Sequence, residues 1–287
     1  MEKVTKNKRT MVVIFVLVAL LIALVSVCLA AFDTRLKVRH YDIDSEKISS
    51  PVRIALVTDL HSCKYGEGQR ELVDAIDKQK PDVVFLVGDI FDDVLPDENT
   101  TLFIEAIAHK YPCYYVTGNH EWWSGKKRFC EKMSVLEANG VEILNGECVT
   151  LDIGGEKLDV CGVDDPAAYD LDDGKEFVSF KDQLALVDSL ANKENYTVLL
   201  SHRPEHYELY STYGFDLVLS GHAHGGQWRV PLLINGIYAP HQGVLPKYAG
   251  GMYDDGTDMI VSRGLARETT RVPRIFNRPE LVIINIG

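Results

Sequence analysis

The sequence of 287 residues has no C-x-x-C pair, no block of basic residues, no acidic tail, no internal repeat and no low-complexity tract. Without C-x-x-C spacing, a zinc ribbon or a thioredoxin-type redox site is excluded. The formal net charge of -12 is spread along the chain. A polyanion-binding surface is therefore not the main function, and no nucleic-acid partner is expected. A small phosphorylated substrate stays open, because metal ions rather than net charge can hold it. The six cysteines are Cys28, Cys63, Cys113, Cys130, Cys148 and Cys161. Cys28 lies in an apolar run, which leaves five elsewhere. They read mostly as small buried apolar residues, with no pairing assigned. Apolar residues make up 46%, enough for a sizeable core, and the length suits one large domain or two small ones.

Charge is also missing from the 22 residues 11–32. That length crosses a bilayer core as a helix. A secretory signal is the competing reading, although its apolar region is usually shorter, about 7–15 residues. Lys3, Lys6, Lys8 and Arg9 precede the run and Arg35, Lys37 and Arg39 follow it, so the positive-inside bias is narrow. The expectation is a single-pass anchor with a cytoplasmic tail of residues 1–10 and an extracytoplasmic main domain. Residues 33–50 read as a linker or a first edge strand, and residues 51–287 as the catalytic domain.

From residue 52 the pattern alternates. Apolar runs at 52–58, 82–87 and 113–117 read as strands, and 70–80, 101–110 and 128–139 as helices. A hairpin around Gly154 and Gly155 follows, then a helix at 180–193, and strands at 197–200, 215–219, 259–263 and 281–286. Strand–helix units come first and mixed strands later, which is an α/β class with some antiparallel pairing.

Polar residues collect at the carboxyl ends of these strands five times: Asp59/His61, Asp89/Asp92, Asn119/His120, His202 and His222/His224. Open α/β sheets place their ligands there. His222 and His224, two apart beside glycines, suit a divalent metal. Asp59, His61, Asp89, Asn119, His202, His222 and His224 offer seven nitrogen and oxygen ligands. One ion takes four to six, so seven suit two ions about 3.5–4 Å apart. No cysteine lies within these motifs, which leaves Mn, Fe or Zn as candidates and disfavours a thiolate-rich zinc site.

These blocks resemble the calcineurin-like metallophosphoesterase superfamily, whose pattern is D-x-H, G-D-x-x-D, G-N-H-[DE], H and G-H-x-H. Here they are Asp59-Leu60-His61, Gly88-Asp89-Ile90-Phe91-Asp92, Gly118-Asn119-His120-Glu121, His202 and Gly221-His222-Ala223-His224. The segments Gly225-Gly226-Gln227, Ala239-Pro240, Gln242-Gly243, Pro246-Lys247-Tyr248, Ser262-Arg263-Gly264-Leu265 and Asn277-Arg278-Pro279-Glu280 are similar to the membrane-anchored, bacterial-type branch. The resemblance implies a four-layer αββα sandwich of two mixed sheets. It implies a first metal on Asp59, His61 and His224, a second on Asn119, His202 and His222, and Asp89 bridging them. His120 would protonate the leaving oxygen, oriented by Asp92. The implied reaction is hydrolysis of a phosphoester or pyrophosphate on a phosphorylated small molecule or a lipid-linked substrate. One variant is a pyrophosphatase similar to those acting on UDP-2,3-diacylglucosamine. A non-catalytic metal-binding scaffold is the rival, which the intact ligand set and His120 disfavour.

Four more features have paired readings. Arg203 reaches a phosphate or is a surface cation before Pro204. Trp122, with Trp123, lines a substrate pocket or packs in the core. Asp164-Asp165 reads as a turn. The apolar segment 230–253 borders a lipid or is an ordinary packed loop.

Overall fold

The computed structural model describes residues 2–170, 179–267 and 272–287. Helix α1 spans Glu2–Ala31. Then come β1 (Lys37–Ile43), β2 (Val52–Val57), α2 (Arg70–Gln79), β3 (Val83–Val87), α3 (Glu98–Ala108), β4 (Cys113–Val116), α4 (Asn119–Trp123), α5 (Lys126–Ala138) and β5 (Glu142–Ile143). The second half holds β6 (Glu147–Ile153), β7 (Glu156–Gly162), α6 (Phe180–Leu190), β8 (Tyr196–Leu200), α7 (Tyr207–Tyr210) and β9 (Leu217–Ser220). It ends with β10 (Tyr238–Ala239), β11 (Gly243–Val244), β12 (Gly251–Tyr253), β13 (Asp258–Val261) and β14 (Glu280–Ile286).

Two six-stranded mixed sheets result, ordered β1-β14-β2-β3-β4-β5 and β12-β13-β9-β8-β7-β6, with β10-β11 a separate hairpin. The strand period of two distributes the apolar residues between layers. On β2, Ile54 and Leu56 face the space between the sheets, where they meet Val198, Leu200, Leu217 and Ile260. Ala55 and Val57 face outward onto Leu72 and Ile76 of α2 and Phe103 of α3. On the far side, Leu199, Val218 and Met259 pack under Leu184 and Val187 of α6. Three apolar layers thus separate helix, sheet, sheet and helix, which is the four-layer α/β sandwich expected. Central strands covered on both faces carry continuous apolar runs for that reason. Each fully buried Leu or Phe contributes about 1.5–3 kcal/mol relative to exposure.

The expected elements appear with ends moved by a few residues; α3 begins at Glu98 rather than 101. Residues 33–50 supply a strand rather than only a linker. β1 lies parallel to β14 at the sheet edge. The reading of the cysteines needs correction at one pair. Cys148 on β6 and Cys161 on β7 stand directly opposite and form a disulfide. Cys63 and Cys113 are buried and free, as expected of small apolar residues, while Cys28 and Cys130 are exposed. Within α1, residues Thr10–Ala31 are long and apolar enough to cross a membrane, and of these only Ala31, at the end, is buried.

Candidate metal centre

Both sheets deliver their parallel strands to one edge, and the loops there continue the ladder. Asp59 N donates to Gly88 O, His61 N to Asp89 O and Gly221 N to His202 O. The backbone turns hard at these points. Five of the seven expected ligands, Asp59, His61, Asp89, His222 and His224, have φ between 46° and 63°. Non-glycine residues hold that left-handed region only where surrounding structure enforces it. Gly88, with φ 75°, turns the chain after β3, and a Cβ there would lie 2.3 Å from the His202 ring.

Six of the seven side chains converge, and the seventh, Asn119, is buried with its Oδ1 unpartnered. Asp59, His61, Asp89 and His224 bring ligand atoms within 4.8 Å of one another, and Asp89, His202 and His222 do the same. Asp89 belongs to both groups, the position expected of a bridging carboxylate. All seven except His224 are buried, and His224 is half-buried.

Hydrogen bonds aim the rings. His202 Nδ1 lies 2.9 Å from Val87 O, so it carries the proton and leaves Nε2 facing inward. His61 Nδ1 lies 3.1 Å from Asp92 Oδ2, which likewise leaves Nε2 inward. Asp59 Oδ1 accepts from His222 N at 2.9 Å, and Asp89 Oδ1 from His120 N at 2.8 Å. What remains is a set of inward polar atoms: Asp59 Oδ2, His61 Nε2, Asn119 Oδ1 and His224 Nδ1 have no hydrogen-bond partner, while His202 Nε2 lies 3.0 Å from Asp89 Oδ2. Leaving four such atoms buried and unsatisfied costs about 1–3 kcal/mol each, more where charged. Oxygen and imidazole donors in this arrangement fit divalent cations of the Mn, Fe or Zn type.

The charge state agrees. Burial works against a protonated His202, but Asp89 and Asp59 outweigh it and push the imidazole up to about 10. Burial, then Arg203 and His202, hold His222 well below its ordinary value. Burial, then His61 and Arg274, do the same for His224. Burial opposes the charge of Asp92, yet His61 and the N–H groups of Leu95 and Val94 hold its carboxyl down at about 2.

The comparisons with known proteins fit this geometry. The family model described as calcineurin-like phosphoesterase matches residues 52–226. The chain belongs to the calcineurin-like phosphoesterase family. The phosphoesterase is 30% identical over 277 residues to an uncharacterised metallophosphoesterase of Campylobacter jejuni, covering 93% of this chain and 68% of that protein. It is 29% identical to one of Aquifex aeolicus, covering 88% and 92%. Among solved structures, TT1561 of Thermus thermophilus aligns with a TM-score of 0.49 at 14% identity, covering 76% of this chain and 92% of that one.

Around the phosphoesterase centre, several side chains sit otherwise than expected. The carboxylate at hydrogen-bond distance from His120 Nδ1 is Asp93, at 2.6 Å, whereas Asp92 lies 3.8 Å away and serves His61. Arg203 is not a surface cation. It is buried, and its Nη2 donates to Asp165 Oδ1 at 2.8 Å, with Nε on the other oxygen. Its Nη1 lies 3.1 Å from His222 Nε2 and 2.7 Å from His241 Nδ1. Asp164-Asp165 is thus more than a turn. Trp122 is buried and stacks on Phe129, with ring centroids 4.0 Å apart. Trp123 is the exposed one, with its ring 5.1 Å from that of His120.

Glu121, the last residue of its motif, is a structural clamp. Its buried carboxylate accepts from Gly118 N at 2.8 Å, Asp89 N at 3.1 Å and Phe91 N at 2.9 Å. It staples the loop after β3 to the one after β4. His241 Nδ1 lies 2.9 Å from His222 Nε2. Adjacency to a motif is the only sequence signal for Asp93, whereas Glu121 lies inside one. Nothing local marked Asp165 or His241.

Proposed function

We propose that the chain is a membrane-anchored phosphoesterase in which two divalent cations are held by Asp59, His61, Asp89 and His224 on one side and Asp89, Asn119, His202 and His222 on the other. The observation that carries this reading is the convergence of ligand atoms into two groups that share one buried carboxylate, Asp89. Such cations, when bound, neutralise phosphoryl oxygens and lower the pKa of an attacking water.

The protein's own groups supply the rest. His120 is a quarter exposed, with its ring centroid 4.4 Å from that of His61, at the mouth of the centre. Asp93 takes up Nδ1 and stabilises the imidazolium, leaving Nε2–H to protonate the leaving oxygen. Asp92 fixes the tautomer of His61 from behind. Arg203, anchored on Asp165, sets a positive charge beside His222, where it also helps hold an anionic substrate. Trp123 walls the approach to His120.

The test is turnover by the full chain of p-nitrophenyl phosphate and bis-p-nitrophenyl phosphate with added Mn²⁺. His120→Ala is expected to keep its metal content and lose about 10²–10⁴-fold in turnover. Equal turnover in the variant, or turnover independent of metal, refutes the assignment.

The anchor is α1, retained rather than cleaved, with the domain outside the cytoplasm. The Cys148–Cys161 disulfide supports that side, because disulfides persist in oxidising compartments. A second reading makes the substrate a lipid-linked pyrophosphate. It is favoured by an apolar cavity of about 240 Å³ lined by Gly226, Gln227, Trp228, Ile237, Tyr238 and Val272, directly after His224. An extracytoplasmic site would disfavour a UDP-linked intermediate made in the cytoplasm.

A further inference from the structure

Outside α1, five of the six most exposed large apolar side chains among the described residues gather in one place, the sixth being Val94. Leu232 is fully exposed, Leu233 is 83% exposed, and Tyr238, Val244 and Leu245 are each more than half exposed. Scattered exposed apolar residues are ordinary, but five on one loop system are not. The backbone holds them outward. Val230 N donates to Ile234 O and Leu233 N to Val230 O, closing a tight turn. β10 and β11 form the neighbouring hairpin, and Leu245 N donates to Ile237 O to tie hairpin and turn together.

This loop system stands next to the point where α1 ends. The Ala31 carbonyl accepts from Phe276 N at 2.8 Å. The preceding residue, Ile275, pairs in parallel with Trp228, and the chain runs from Trp228 into the Val230 turn. Two inter-strand spacings, roughly 10 Å, thus separate the helix end from the base of the loop. Basic groups ring the same exit around one carboxylate, Asp33, which pairs with Arg35 at 2.8 Å and with Arg278 at 3.4 Å; Arg35, Lys37 and Arg278 outnumber it. Arg278 donates to Arg35 O and Leu36 O, and the Arg35 side chain is exposed. Arg39, with burial, Arg278 and Arg229 adding, lowers the pKa of Lys37 against the pull of Glu280. An apolar tip beside a cationic collar matches the two zones of a bilayer, acyl chains and headgroup phosphates.

We propose that residues 230–245 seat in the lipid bilayer that α1 crosses, with Leu232, Leu233, Val244 and Leu245 in the acyl region and Arg35, Lys37 and Arg278 at the lipid phosphates. The inference rests on the reading of α1 as a retained anchor. Two contacts link this seat to the metal centre. Gly226 and Gln227 line the cavity under the loop, and His241, between the strands of the hairpin, touches His222. The seat therefore holds the catalytic opening against the membrane rather than letting the domain swing on its tether.

The test uses the full chain in phosphatidylcholine–phosphatidylglycerol vesicles, in a Cys28→Ser, Cys130→Ser background. A nitrobenzoxadiazole label is placed at Leu233→Cys or, as control, at Leu190→Cys, an exposed leucine at the end of α6. Lipids with a nitroxide on the acyl chain are expected to quench the label at 233 at least twofold more than at 190. Equal quenching in chains that resist an alkaline wash overturns the seat and leaves the anchor standing. Chains that the wash removes overturn the anchor, and the seat with it.

Discussion

Gly118→Ala is the cleanest probe of the centre. Gly118 has φ −113° and ψ −178°, an extended backbone that any residue adopts, so alanine adds no conformational strain. What it adds is a Cβ 2.3 Å from Asp89 Oδ1 and 2.4 Å from Asp89 N. Ordinary carbon contacts begin near 3.4 Å, so the carboxylate or the turn must withdraw by about 1 Å. The displaced group is the one shared by both ligand clusters. It also loses the 2.8 Å bond from His120 N, a charged hydrogen bond of about 1.5–3 kcal/mol. A shift of this size costs about 10²-fold in turnover. The assay pairs metal content per chain, by plasma emission, with turnover of bis-p-nitrophenyl phosphate. Bound metal should fall by half or more and turnover by about 100-fold. Full metal content with turnover within about threefold of the parent would refute Asp89 as the shared ligand.

Two further outcomes follow from the same geometry. Asp92→Asn should weaken metal affinity about 10–100-fold through His61. Asp93→Asn should keep the metal and lower turnover roughly 10-fold or more through His120; equal effects of both on metal content would contradict the division of roles. Metal affinity should also rise with pH. His202, raised to about 10, is protonated at neutrality and must lose that proton to bind a cation. Chelator competition for Mn²⁺ between pH 6.5 and 8.5 should show about tenfold tighter binding per unit. The same proton stabilises the chain without cation below about 6.5, and that contribution is lost as pH rises through about 10. A flat affinity profile would remove the proton from His202.

The strands and the ligands were legible for one reason. Apolar runs such as 82–87 end at glycine followed by a carboxylate or imidazole, so chemistry and strand end are marked together. The partners of those ligands were not. Asp92 and Asp93 are neighbours in one turn, and only the fold decides which carboxylate meets which imidazole. Trp122 and Trp123 exchange roles with the rotation of a short helix. Arg203 finds Asp165 at a separation of 38 residues, which no local pattern encodes. The Cys148–Cys161 pair depends on the register of β6 against β7, and the left-handed turns at Asp59, His61 and Asp89 on enforcement by distant structure.

The place of β14 sets how the first sheet can close. Its residues fill the slot between β1 and β2, parallel to the first and antiparallel to the second. Without β14, β1 has no neighbour in its sheet among the described residues and β2 shows an open edge. Both pairings join segments more than 200 residues apart, Lys37 with Glu280 and Leu56 with Val282. The sheet therefore closes on contacts of long sequence separation, which are the slow ones to form. Whatever loosens β14 frees β1 with it, so the two edges of one slot come apart together.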